Sequence, residues 1–263
     1  MAAPFSLWLL ALALLFALLP QAAHASACPA TSSSERVHVV YVYDGDTVKL
    51  SDGRRLRLIG INTPELGNED PTTVPLANEA RARLQELINT NNRTLLLQHD
   101  AQHKDHYGRL LAHAFTESGD NVASMLLQQG LATTLVVPPN TWGMQCYQGL
   151  ENDARIDRRG VWGLPAYQSR PARGLPPDTK GYRIVQGHVN DVRESKHNVW
   201  IDLDGPLTLQ ISRKDLANFD SLASLPGTDV EVRGWIRQVE GGLRMSLQHP
   251  AALTIITAQP VRH

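Results

Sequence analysis

The sequence has 263 residues, room for one large domain or two small ones. Its 25 Lys and Arg are matched by 26 Asp and Glu, giving a formal net charge of −1. This argues against a generic, non-specific polyanion binder, so any contact with nucleic acid has to come from a local patch.

The chain opens on a continuous apolar run, FSLWLLALALLFALLP, followed by QAAHA and then polar sequence. Ala23-His24-Ala25 fits the small-x-small cleavage pattern, so residues 1–25 are expected to be a signal peptide and Ser26 the first mature residue. No Lys or Arg precedes the run, so only the amino terminus supplies positive charge there. The second reading is an uncleaved anchor, although the run is short for a span of about 20 residues. Export would place the protein outside the cell or in a periplasm. The two cysteines, Cys28 and Cys146, both follow this segment, and an even count in an oxidising compartment predicts one disulfide. A rival reading makes Cys28 a lipidated first residue. It would leave Cys146 unpaired, and ASAC lacks the large aliphatic residue usual three positions before such a cysteine.

From Val37 onward, apolar and polar residues alternate through Val39, Tyr41 and Tyr43, which is a strand period. Thr47 to Leu50 stays extended, Ser51-Asp52-Gly53 turns, and Arg54 to Ile61 predicts a second strand. The period changes over Pro75 to Ile88, where Leu76, Ala80, Leu84 and Leu87 share one helical face behind Pro75. Thr94 to His99 and Leu110 to Phe115 predict further strands. Asn121 can cap a short helix carrying Val122, Met125 and Leu126, and Gly130 ends it. A last helix is expected over Met144 to Arg159, with Met144, Tyr147, Leu150 and Ala154 inward, Gly160 as its stop and Trp162 packing back.

Between Gly163 and Lys180 the chain is rich in proline and glycine and poor in large apolar residues, the composition of a linker. Five strand candidates follow: Tyr182 to Val189, Asn198 to Leu203, Leu207 to Ile211, Val230 to Arg237 and Leu243 to Leu247. A short helix is expected over Asp215 to Leu222. That order suits a small OB-type barrel. The expected organisation is therefore a signal peptide (1–25), an N-terminal segment (26–36), a first domain (37–164), a linker (165–180) and an OB-like second domain (181–258). The fold class is β-rich α+β.

Candidate chemistry lies in the first hairpin. Asp44-Gly45-Asp46-Thr47 projects carboxylates at a strand end, which by itself is more often a solvated turn than a metal site. Arg57 sits among Leu56, Leu58 and Ile59, where a guanidinium costs free energy unless something anionic meets it. Pro64 fixes the next turn and sets the Thr63 carbonyl and the Glu65 carboxylate at its exit. Arg109 opens a strand after the Tyr107-Gly108 turn. A hard divalent cation takes oxygen ligands and fills its shell with water and phosphate. Phosphodiester attack builds negative charge on phosphate oxygens, which arginine meets with two donors, and a nearby carboxylate can orient or deprotonate water.

DGDTVKL, RLRLIGINTPE and DHYGRLLAHAF, in this order and followed by GVW, resemble the staphylococcal nuclease (thermonuclease) family over about Val37 to Leu164. The resemblance implies a five-stranded OB barrel with three helices and Ca²⁺-dependent endonucleolytic hydrolysis of DNA and RNA. It assigns a metal carboxylate to Asp46, phosphate contact to Arg57, a backbone-carbonyl metal ligand to Thr63, the attacking water to Glu65 and transition-state stabilisation to Arg109. Asn62 departs from the pattern: the family places a metal-ligating aspartate there, and an amide oxygen can coordinate Ca²⁺ only without charge. The second domain carries no DGDT or NTPE counterpart. Its Tyr182, Trp200 and Trp235 can stack on bases or can fill the barrel core and edge. Two function classes follow: an exported nuclease, or a nuclease-fold module that binds nucleic acid or protein without cleaving.

Overall fold

A computed structural model describes residues 27–31, 35–65 and 74–256. The expected signal peptide, Ser26 and the last residues of the expected second domain lie outside them. Five strands, β1 (Glu35–Val42), β2 (Thr47–Leu50), β3 (Arg55–Leu58), β5 (Thr94–Gln98) and β6 (Leu110–Phe115), close a barrel in the order β1-β2-β3-β6-β5. β3 and β6 run parallel, and the remaining pairs are antiparallel. The expected period of β1 holds through Val37 and Val39, which are buried. A bulge between Val39 and Tyr41 then reverses the faces, so Val42 is buried and Tyr41 is 47 % exposed. The two tyrosines thus leave the face on which the alternation would have put them.

The expected strand Arg54 to Ile61 is broken. Gly60 has φ +85°, and a Cβ there would lie 2.4 Å from the Tyr147 ring. Only glycine permits both the backbone and the approach. The chain turns off the barrel as β4 (Gly60–Asn62) and pairs with β7 (Thr133–Leu135), with Asn62 opposite Thr133. A three-residue strand is too short to show a period, and β7 has no signature in the sequence.

Helix α1 (Val74–Thr90) buries Ala80, Leu84 and Leu87 on the barrel, as their spacing predicts. α2 (Val122–Gln128) is capped by Asn121, whose side chain accepts from the Ser124 amide at 3.0 Å. α3 (Met144–Ile156) buries Tyr147 and Ala154, stops short of the expected Arg159, and is followed by buried Trp162. Cys28 and Cys146 form a disulfide with Cα atoms 5.8 Å apart across 118 residues of sequence. Closing a loop of that length contributes about 3–5 kcal/mol in the chain-entropy model. Asn121 Nδ2 also donates to the Cys28 carbonyl at 3.0 Å, and Ser124 Oγ donates to the Ala27 carbonyl at 3.0 Å, so the segment is seated on α2.

A second closed barrel follows: β9 (Gly181–Glu194), β10 (Asn198–Leu203), β11 (Leu207–Ser212), β12 (Asp229–Val239) and β13 (Gly242–Leu247), in the ring β9-β10-β11-β13-β12. Its third and fifth strands run parallel, as in the first barrel. β8 (Arg170–Pro171) adds to β9, and β14 (Leu253–Ile255) adds to β12. The helix expected over Asp215 to Leu222 is instead two 3-10 turns, Leu216–Asn218 and Leu222–Ser224. So short a segment gains too few hydrogen bonds to offset α-nucleation.

The proline-rich connection is packed rather than loose. It forms 3-10 turns at Pro165–Tyr167 and Ala172–Gly174 and buries Ala166, Tyr167, Ala172 and Leu175. Ala154, Val161, Trp162, Ala166, Tyr167 and Ile184 form an apolar cluster between the barrels. Polar bonds flank it. Glu151, 4 % exposed, accepts from the Thr134 amide and hydroxyl at 2.7 Å each and pairs with Arg233, while Arg155 grips Glu231 at 2.7 and 2.9 Å. No helix among the described residues is long and apolar enough to cross a membrane.

His113 on β6 is buried in the first domain against Trp142 and Tyr147, its Nδ1 3.0 Å from the Tyr147 hydroxyl. Burial pushes its pKa down from 6.5 to about 4, opposed only in part by Asp100, whose Oδ2 lies 4.0 Å away. Between those two values the unfolded chain binds a proton that the folded chain refuses. Stability is therefore fully present above about pH 6.5 and falls as pH drops toward 4, by at most about 3 kcal/mol. In urea titrations across this window, His113→Gln is expected to flatten the acid limb; an unchanged limb would assign it to other groups.

Candidate active site

The loop between β1 and β2 carries the first acids. Asp44 Oδ1 accepts from the Asp46 amide at 3.0 Å, a local turn that tilts the Asp46 carboxylate inward. Gly45 lies between them because there is no room for more: a Cβ would come within 2.7 Å of Ala80 on α1 and 2.8 Å of the Thr63 methyl. Asp46 is buried among donors. Oδ1 accepts from Thr47 Oγ1 at 2.9 Å and pairs with Arg57 Nε at 3.0 Å; Oδ2 accepts from the Thr63 amide at 3.0 Å and its hydroxyl at 3.1 Å. The side chains of Arg57 and Asp46 are 12 % and 7 % exposed, so the pair is desolvated. Burial, followed by the neighbouring Asp46 charge, raises the Asp44 carboxyl to about 6.

Arg57 is held on every nitrogen. Nη1 donates to the carbonyls of Leu58 and Ile61, and Nη2 donates to Asn62 Oδ1 at 3.3 Å. Among the described residues one Nη2 N–H takes no partner. Asn62 is fixed at both ends, since its Nδ2 donates to the Thr63 carbonyl at 3.3 Å. The amide therefore faces the carbonyl that the family resemblance assigns to the metal. Reversing it would set an NH₂ against Arg57 and an oxygen against the carbonyl.

Glu65 is exposed at the exit of the same turn. Arg109 immediately precedes β6, two residues before Leu111, which lies opposite Arg57, so strand alternation carries it to the face that Arg57 occupies. Its Nε donates to Asp105 Oδ2 at 2.7 Å, and its guanidinium lies 5.5 Å from the Tyr107 ring centroid. Asp105 Oδ1 also accepts from the Tyr107 and Arg109 amides, both at 2.9 Å, which builds the turn that aims Arg109. Burial pushes the Asp105 carboxyl up, but these hydrogen bonds and the Arg109 charge outweigh it and hold the group below its ordinary value.

The structure thus brings Asp46, Arg57, Asn62 and Thr63 into one network, with Glu65 at its mouth and Arg109 on the same face. Asp44, noted in the sequence as part of the strand-end turn but given no role there, and Asp105, not singled out there, both support the site. The aspartate two residues before Asp46 and the one four residues before Arg109 were the available signals. Among the described residues no three or more His, Cys, Asp or Glu side chains converge as a metal centre. The donors near Asp46 are all oxygen: two carboxylates, the Thr63 carbonyl and the Asn62 amide oxygen. That chemistry fits a hard cation, with one charge fewer than an aspartate at position 62 would give.

A family model, the Staphylococcal nuclease homologue family, matches residues 55–163, a stretch that holds Arg57, Asn62, Thr63, Glu65 and Arg109. The chain is 33 % identical over 129 residues to Endonuclease YncB of Bacillus subtilis, covering 47 % of this chain and 60 % of that protein. It is 32 % identical over 129 residues to a second endonuclease of the same organism, the SPbeta prophage-derived YokF, and spans 43 % of its length. It is 30 % identical over 125 residues to the Thermonuclease of Staphylococcus intermedius, covering 46 % of this chain and 72 % of that one. With 30 % identity across 72 % of that thermonuclease, this chain belongs to the staphylococcal nuclease family.

Proposed function

We propose that the protein is an exported, metal-dependent endonuclease that hydrolyses phosphodiester bonds in DNA and RNA. The observation that carries this reading is the buried Asp46–Arg57–Thr63 network, with Arg109 presented on the same face. Asp46, the Thr63 carbonyl and the Asn62 side chain would hold Ca²⁺, which when bound supplies Lewis-acid polarisation of a phosphate oxygen. Arg57 offers its remaining Nη2 N–H to the phosphate. Arg109 is tied to Asp105 through Nε, which leaves its two terminal nitrogens to take phosphate oxygens as charge builds on them. Glu65, exposed at the turn, would orient or deprotonate the attacking water. The N-terminal apolar run and the Cys28–Cys146 disulfide support a location outside the cell or in a periplasm.

A second reading, a module that binds without cleaving, is favoured by one observation: the Asn62 amide occupies the Thr63 carbonyl. Digestion of single- and double-stranded DNA in Ca²⁺ and in chelator separates the two. Cleavage in Ca²⁺ that stops in chelator is the expected result, and binding with no cleavage in either would establish the second reading.

Arg109→Lys keeps the charge and loses the planar fork. Turnover is expected to fall by about 10² or more while the thermal midpoint stays near that of the parent. Unchanged turnover in a folded variant would make Arg109 structural.

Asn62→Asp removes the donor from the Thr63 carbonyl and adds a charge near Asp46. Calorimetry is expected to show tighter Ca²⁺ binding than in the parent, and Ca²⁺ should raise the melting temperature of the variant more, by mass action. Equal affinity in the two proteins would remove position 62 from the metal site.

A further inference from the structure

On the outer face of the second barrel two arginines stand directly opposite each other. Arg237 of β12 is in register with Arg244 of β13. Like charges at such positions, with Cβ atoms about 4.5–5.5 Å apart, destabilise a ladder. Neither arginine has a carboxylate partner among the described residues. Both are nevertheless held in place. Arg237 Nη2 donates to Gln210 Oε1 at 3.1 Å and to Ser246 Oγ at 3.4 Å, and the Arg244 guanidinium lies 4.7 Å from the centroid of the Trp200 ring.

Register puts these groups on one face. Trp200 lies opposite Gln210, Gln210 beside Ser246, and Thr208 beside Arg244. Asp202, the nearest acid on β10, is taken by Arg193 at 2.6 Å and by the Thr208 hydroxyl at 2.9 Å. Trp235, two residues before Arg237 on the same face, is 44 % exposed. A band of aromatic and unneutralised basic groups therefore crosses β10, β11, β13 and β12. At its Trp235 end it meets the first barrel, where Trp235 shares a cleft with Leu135 and Val136. Leu135 pairs with Gly60 in β4, the strand that ends in Asn62.

We propose that this band is a binding track for single-stranded nucleic acid, with Arg237 and Arg244 taking phosphates and Trp200 and Trp235 taking bases. An anion between the two arginines would relieve their mutual repulsion. Trp235 is exposed and Trp200 half-buried; accessible indole faces serve unstacked bases, so a single strand fits better than a duplex. The track deepens the nuclease reading and rests on it only for the identity of the bound strand as substrate.

The test uses the full-length protein in chelator with a fluorescent oligothymidylate of about 20 nucleotides, longer than one OB-fold site. Anisotropy is followed against salt. In Arg237→Ser/Arg244→Ser the slope of log affinity against log salt is expected to fall by about 1.4, the loss of two single-strand phosphate contacts. Trp235→Leu is expected to weaken binding about tenfold. A thermal melt checks that each variant is folded. Turnover of a small chromogenic thymidine phosphodiester, too short to reach the band, should be the same in parent and double variant. If the parent leaves that ester uncleaved, the nuclease reading fails while the anisotropy still decides the track. Unchanged slope and affinity in the folded double variant would overturn the proposal. So would displacement of the oligonucleotide by polyglutamate at lower concentration than by unlabelled oligothymidylate, which would point to an acidic protein partner.

Discussion

The ion pair between Asp46 and Arg57 is the constraint on which the candidate site depends. Both side chains are almost wholly out of water, where an unpaired charge is costly and a pair is tolerated only with its remaining valences filled. Here they are filled by backbone and hydroxyl groups from three separate segments: Thr47 at the start of β2, the carbonyls of Leu58 and Ile61, and the amide and hydroxyl of Thr63. One interaction thus fixes the first loop, β3 and the turn after β4 relative to one another. It also positions Asn62 and Thr63, because Arg57 holds the Ile61 carbonyl and Asn62 Oδ1 while Asp46 holds the Thr63 amide and hydroxyl.

The same network explains why the chain leaves the barrel at Gly60. A strand continuing straight would carry Asn62 and Thr63 past Asp46. The turn at Gly60 instead folds them back over it and passes the strand to β7. Tyr147 fills the space that any larger residue at position 60 would need. Through β7 the site connects to the second barrel, since Thr134 is bound by buried Glu151, which in turn is paired with Arg233 of β12. The two barrels are therefore joined by a charge pair whose separation would leave Glu151 buried and unpaired, as well as by the apolar cluster around Trp162. This docking keeps the aromatic and basic face of the second barrel in a fixed relation to the strands of the candidate site.

The sequence by itself determined the barrel strands, because each buries one face and writes that burial as a period of two. Likewise it determined α1 and α2, through the spacing of Ala80, Leu84 and Leu87 and the cap at Asn121. The candidate residues Asp46, Arg57, Thr63, Glu65 and Arg109 could be picked out as well, since polar groups at the ends of apolar strands stand out against the period that surrounds them; that Asp46, Arg57 and Thr63 share one network is a matter of tertiary structure. Only the tertiary structure decided the rest. The bulge that turns Tyr41 outward, the β4–β7 pairing and the packed course of the proline-rich connection involve segments too short or too irregular to carry a period. The Glu151–Arg233 pair joins residues 82 apart, and the facing of Arg237 and Arg244 depends on strand register. Local pattern records which face of a segment is buried; which distant segment covers that face is settled by packing.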